Sequence, residues 1–268
     1  MAPAEHDTRL LAAWWWLIVL TFRRVWWSLQ SFVAVVLVGM TAAGILLQTL
    51  WRGWSELQFA RAIIGDVYLG FMLPLLCLAF GTQSMGGDWE DRTLIWTLTR
   101  PVPRPLVYLA KFLAALPWTF ALTLGGLFLF GAAAGRSGLR SALYFWPAVA
   151  WGTLAYVALF VLLGAAFRRS TIIGVVYSFV MESLIATMPG MVKRASIAFY
   201  NRCIYFEKAR EVGLNVASGG RRGIAPDRES LYMPVSGDEA VMYLLIGTVA
   251  FLCIGMFVFA RREYRDLT

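Results

Sequence analysis

The chain has 268 residues, 59% of them hydrophobic and 15% charged, with a mean hydropathy of +0.65. That composition excludes an ordinary soluble domain, since several stretches approach the roughly 20 apolar residues that cross a bilayer core, and the short alternating segments of a membrane β-barrel are absent. The net charge of +8 would suggest nucleic acid in a soluble protein, but the Arg and Lys residues cluster at the ends of apolar runs and no basic stripe with interleaved aromatics stands clear of them, so the reading is headgroup contact and no nucleic acid.

From the N-terminus, residues 10–22 form an apolar run preceded by Glu5 and Asp7 beside Arg9, and followed by Arg23 and Arg24. A secretory signal would carry a basic start and a small-residue cleavage site. The run is short for a span, and Trp14, Trp15, Trp16, Trp26 and Trp27 suit the headgroup region. Residues 8–28 are therefore expected to form an amphipathic elbow helix on the cytoplasmic face, with an additional span as the alternative. Six spans follow, at about 31–50, 66–86, 107–132, 143–166, 171–188 and 240–260. The expected fold class is all-α and polytopic, a single transmembrane domain over residues 1–268.

Six spans put both termini on one side. With the N-terminus inside, the cytoplasmic segments hold Arg9, Arg23, Arg24, Arg92, Arg100, Arg104, Lys111, Arg168, Arg169, Arg261, Arg262 and Arg265, against Arg52, Arg61, Arg136 and Arg140 in the short outer loops. This asymmetry predicts cytoplasmic termini in a cytoplasmic (inner) membrane protein. Pro74 and Pro117 each remove a helical hydrogen bond and are expected to kink their spans. Gly125, Gly126, Gly131, Gly152 and Gly164 permit close helix approach, unless they reflect only the frequency of glycine in membrane helices. Asp66 is expected just outside the membrane. The segment 189–239 is expected to be external, with Ile197, Tyr200, Ile204 and Lys208 spaced as an interfacial helix on the outer leaflet and a turn-rich stretch from 217 to 230.

Chemistry-bearing motifs are few. Cys77 and Cys253 fall inside apolar runs and read as small core residues, while Cys203 stands alone, which argues against an intrachain disulfide. His6 has no Cys or His neighbour, so neither a metal nor a haem site is expected. There is no G-x-x-x-x-G-K-[ST] loop, no H-E-x-x-H and no G-x-S-x-G elbow. No internal repeat of the kind found in many secondary transporters is visible. Glu182 lies in the apolar run 171–188, where an ionisable group costs a few kcal/mol and marks a functional or paired residue. Two readings stay open for it, a translocation path or subunit interface, and a position near the outer headgroups.

The most informative segment is residues 87–112, GDWEDRTLIWTLTRPVPRPLVYLAKF. Asp88, Glu90 and Asp91 suit the positive end of a short helix. Trp89, Thr93 and Trp96 follow helical spacing and give one face two aromatic anchors for a protein partner. RPVPRP then stiffens the exit, because each proline restricts itself and its predecessor.

Glu90, Thr93, Leu94, Leu98, Thr99, Arg100, Pro101, Val102, Arg104 and Lys111 resemble the run after the second span in the type-2 ATP-binding-cassette (ABC) export permease family. The run departs from that pattern at Arg92, where Gly is common, and at Pro103, where Ser or Thr is usual. The resemblance extends to the whole plan of elbow, six spans and a long outer segment before the last. It implies a coupling helix at 88–99 between spans two and three, with Asp88, Trp89, Glu90, Asp91, Thr93, Trp96, Arg100, Pro101 and Arg104 facing an ATPase. It further implies a membrane subunit without covalent chemistry, pairing with a second permease subunit (identical or related) and two ATPase subunits. ATP and Mg would be bound by those partners, leaving no cofactor in this chain. The rival expectations are an ion-coupled carrier or channel, favoured by Glu182, and an integral membrane enzyme of lipid or envelope metabolism built on Asp88, Glu90 and Asp91.

Overall fold

The computed structural model describes residues 3–90, 103–184, 192–214, 216 and 235–261, with the backbone alone at 3–13, 87–90, 182–184 and 192. All regular structure among the described residues is helical. Helix α1 spans Pro3–Trp26 and α2 spans Leu29–Trp51. A continuous third helix, α3, runs as α-helix over Glu56–Gln58, as π-helix over Phe59–Met72, and as α-helix again over Leu73–Glu90. Helices α4 (Arg104–Ala133) and α5 (Arg136–Ala166) follow. Helix α6 (Ser170–Tyr177) continues as a π-turn over Ser178–Leu184. After a 3₁₀ turn at Val192–Ala195 come α7 (Ile197–Glu211) and α8 (Gly237–Arg261).

Among the described residues, five helices are long and apolar enough to cross a membrane: Leu29–Trp51, Glu56–Gly86, Arg104–Ala133, Arg136–Ala166 and Gly237–Arg261. The run expected as a fifth span behaves differently, since its apolar helix covers only Ser170–Met181, about 18 Å at 1.5 Å per residue. The second and fourth spans start earlier than their apolar runs. Arg61 therefore lies within α3, and Arg136 and Arg140 fall in the opening turns of α5.

Local chemistry explains the boundaries. Ser28 caps α2 by accepting from Ser31 N at 3.2 Å, and Ser55 caps α3 by accepting from Gln58 N at 3.2 Å. Gly135 supplies the positive φ of 83° in the two-residue link, Ala134 and Gly135, between α4 and α5. Pro117 and Pro147 sit inside α4 and α5, which continue through them. Pro74 stands where α3 changes from π to α. Having no N–H, it can donate neither an i→i−5 nor an i→i−4 bond, so the switch costs nothing there.

Helices α3, α4 and α5 form the centre of the bundle. The Tyr68 hydroxyl donates to Thr123 O, and Thr153 Oγ1 lies 3.0 Å from Thr123 Oγ1, so the three helices share a buried polar seam of the kind that joins helices where apolar burial alone cannot. Tyr68 also meets Phe130 edge to face at 5.4 Å. Among the glycines singled out from the sequence, Gly126, Gly131, Gly152 and Gly164 each face a neighbouring helix, whereas Gly125 faces open space. The tightest approach of backbone to a glycine pairs Gly131 with Gly138. A Cβ on Gly138 would fall 2.6 Å from Gly131 O and 2.5 Å from Ala134 Cβ. Backbone cannot yield as a flexible side chain can, so Gly138→Ala is expected to destabilise the bundle by about 1–3 kcal/mol, read as a fall in the thermal midpoint of the purified protein.

Candidate functional site

Two regions draw chemistry-bearing residues together. The first is the end of the molecule where α3 leaves and α4 begins. Asp88, Trp89 and Glu90 form the last turn of α3, with their side chains outside the described set. Asp91, Thr93, Trp96, Arg100 and Pro101 lie outside the described residues altogether. The frame around them is well defined. Arg104 opens α4 and donates from Nη1 to Ala260 O at 3.4 Å, near the end of α8. Trp14 Nε1 donates to Leu106 O at 2.9 Å, and Trp118 Nε1 donates to Ser31 Oγ at 2.9 Å, with Trp26 and Trp118 rings 4.1 Å apart.

These contacts show α1 running alongside the first half of α4, twelve residues of one against twelve of the other. Of the five tryptophans expected at headgroups, Trp15, Trp16, Trp26 and Trp27 are exposed, while Trp14 is turned onto α4. Lys111, grouped from sequence with the cytoplasmic basic residues, is two turns inside α4 and only 2% exposed. Nearby, the Tyr108 ring packs against Gly255 and Phe259 of α8. The α3–α4 connection therefore springs from a site braced by α1 and α8.

The second region is α7. Its spacing suggests an interfacial helix, yet the structure buries Ile197, Phe199, Asn201, Cys203, Ile204, Tyr205 and Ala209. The helix dips into the bundle between α3, α5 and α8. Tyr205 donates to Ala60 O at 2.7 Å and packs at a tilt of 40° against Phe145 with centroids 4.6 Å apart. It lies over Gly65, and the Arg202 guanidinium lies over Gly70. Those glycines are five apart, and i→i+5 bonding brings such residues onto one face, so the π-helix presents a smooth strip to α7. Asn201 lies over Gly152 and Leu73: a Cβ on Gly152 would fall 2.5 Å from Asn201 Nδ2 and 2.9 Å from Leu73 Cδ2. Gly152 is at the middle of α5, so the N-terminal end of α7 reaches the middle of the bundle.

Cys203 is 3% exposed among the core residues of α7, so it is a buried structural thiol rather than an accessible nucleophile. The three cysteines form no disulfide with one another, and Cys253, expected in the core, is exposed on α8. Asp66 is exposed within the π-helix. The backbone of Glu182 belongs to the π-turn, and its side chain lies outside the described set. Among the described residues, no group of three His, Cys, Asp or Glu could hold a metal ion.

The profile of the family described as "Protein of unknown function (DUF2705)" matches residues 32–265. The chain belongs to that family. No curated protein matches it. The DUF2705 match takes in α2 through α8, and so both the α3–α4 connection and the docked α7. Sequence reasoning missed Asn201 and Tyr205 in this DUF2705 chain. The signal that could have found them is the Gly65–Gly70 spacing, which suits a π-helical face and calls for a bulky partner elsewhere.

Proposed function

We propose that this chain is the membrane-spanning permease subunit of an ABC transporter, of the exporter kind, in the cytoplasmic membrane. The observation that carries the reading is the run Glu90, Thr93, Leu94, Leu98, Thr99, Arg100, Pro101, Val102, Arg104 and Lys111, lying between the end of α3 and the buried first half of α4. In this reading α1 is the elbow, the run 171–188 supplies the sixth crossing together with the docked α7, and residues 88–99 are the coupling helix. Two ATPase subunits bind ATP and Mg, close on nucleotide, and push on 88–99. A second permease subunit, identical or related, completes the pathway. A load on 88–99 would enter α3 and α4 directly and reach α1 and α8 through Leu106 and Arg104. Transport is then a shift between inward- and outward-facing packings driven by partner contacts, with no covalent chemistry in this chain.

The test is co-expression with a P-loop ATPase encoded beside this gene. Co-purification, with hydrolysis altered by the permease, is the expected outcome, and an ATPase that never associates overturns the reading. Both termini and residues 88–105 are also expected on the cytoplasmic side, since the contacts of Trp14 and Arg104 bring helices from both ends of the chain to the start of α4. A cysteine at Thr97 should resist an impermeant thiol reagent applied to intact cells, and labelling from outside would reverse the topology.

An ion-coupled carrier is the second reading, favoured by Glu182 within an apolar run. It predicts that Glu182→Gln changes the pH dependence of transport while the complex stays folded, because the amide keeps shape and removes the charge. An unchanged pH profile removes Glu182 from the site.

A further inference from the structure

The groove between α3 and α5 is filled from both ends by short elements rather than by one continuous helix. From one end α6 enters, with Ser170 against Gly86 and Gly174 against Leu78 and Phe160. From the other end α7 enters, with Tyr205 at Ala60 and Asn201 at Leu73 and Gly152. Gly174 packs on Leu78 of α3, so Ser178, one turn and about 6 Å further on, comes to the level of Leu73 and Pro74, near the depth of Asn201. The π-turn that Ser178 opens touches α7. Two broken elements meet near the middle of the bundle.

Both bring unpaired polar atoms there. Asn201 is 1% exposed, and neither its Nδ2 nor its Oδ1 has a partner. The Ser178 Oγ is enclosed and likewise unpaired. A buried amide left unsatisfied is costly, so Asn201 and Ser178 each call for a hydrogen-bonding partner such as bound water or a ligand. Interrupted helices that end at the bilayer midplane are places where membrane proteins present polar groups to a ligand.

We propose that the junction of the α6 π-turn with α7 is a binding site for an uncharged hydrogen-bonding group, a hydroxyl or carboxamide on an amphiphilic ligand, occupied by water at rest. Asn201 offers two N–H donors and a carbonyl acceptor, and Ser178 offers one hydroxyl that both donates and accepts. Such a set pairs with alcohol or amide heads without needing a counter-charge, and Leu73 and Leu78 supply the apolar wall for a chain. Calling the ligand a transported cargo rests on the permease reading; the site itself does not.

The test uses the full chain in lipid nanodiscs, with Cys203 and Cys253 replaced by Ala and the fully buried Cys77 kept. Asn201→Cys and Ser178→Cys are each treated with 2-hydroxyethyl methanethiosulfonate and compared with Ala155→Cys, a dry core position on α5. Both are expected to react about tenfold or more faster than the control, since thiol reactivity follows access. Octyl glucoside below its micellar concentration should slow both reactions, and octyl sulfate should not. Separately, Asn201→Leu should leave the thermal midpoint at or below that of the wild type. Reaction at the control rate at either position overturns the site, as does a raised midpoint for Asn201→Leu, which would mark a dry unpaired amide. Equal slowing by octyl sulfate overturns the uncharged class of ligand. None of these measurements involves an ATPase, so their failure is separate from failure of co-purification.

Discussion

Replacing Trp89 and Trp96 together with Ala is expected to abolish capture of the ATPase subunit while the permease remains folded. Their spacing puts the two rings on one face of the helix expected from sequence at 88–99, an apolar anchor for the proposed partner. Truncating a buried aromatic anchor typically costs about 2 kcal/mol or more, roughly thirtyfold in Kd for each residue. Two such losses suffice to turn a complex that survives purification into one that does not. The control is the pair Trp15→Ala and Trp16→Ala, whose side chains are exposed on α1 and lie outside the 88–99 segment; these should leave capture unchanged. Wild-type recovery of the ATPase by the Trp89/Trp96 variant would mean that the two rings rest in lipid headgroups, and the coupling assignment would fall with that result.

Much of the architecture is legible in the sequence because membrane helices advertise themselves by length and apolarity alone. The runs at 31–50, 66–86, 107–132, 143–166 and 240–260 each correspond to a long helix, longer than the run wherever polar residues extend it past the apolar stretch. Two features escape that reasoning. Hydropathy reports composition and not the type of helix, so the run 171–188 reads as one span although α-helix gives way to a π-turn at Ser178. Periodicity reports a helix's own faces and not the shape of what receives it. Helix α7 carries charged residues among its buried ones, and its docking depends on a glycine strip that exists only because Phe59–Met72 is wound as a π-helix. At the proposed coupling site the situation reverses: the residue pattern is explicit in the sequence, and the structure contributes the braced frame of α1, α4 and α8 around it.

Tyr205→Ala is expected to have the largest effect on stability of any single change in α7, and to act by undocking that helix rather than by melting the bundle. Tyr205 joins three elements at once. Its hydroxyl donates to Ala60 O in the π-helix, its ring packs tilted against Phe145 of α5, and its edge fills the space above Gly65. Removing a buried aromatic ring costs about 3–5 kcal/mol, whereas Tyr205→Phe keeps the ring packing and forfeits only the hydrogen bond, about 1 kcal/mol. The α3–α4–α5 centre keeps its own Tyr68–Thr123–Thr153 seam and does not depend on α7. The thermal midpoint should therefore fall far more for Ala than for Phe. Cys203, two residues earlier and buried in the docked helix, should become reactive to a thiol reagent in the Ala variant well below the temperature at which the bundle unfolds. If Tyr205→Ala keeps Cys203 protected up to global unfolding, α7 is held by the rest of the bundle, and the glycine strip is not its anchor.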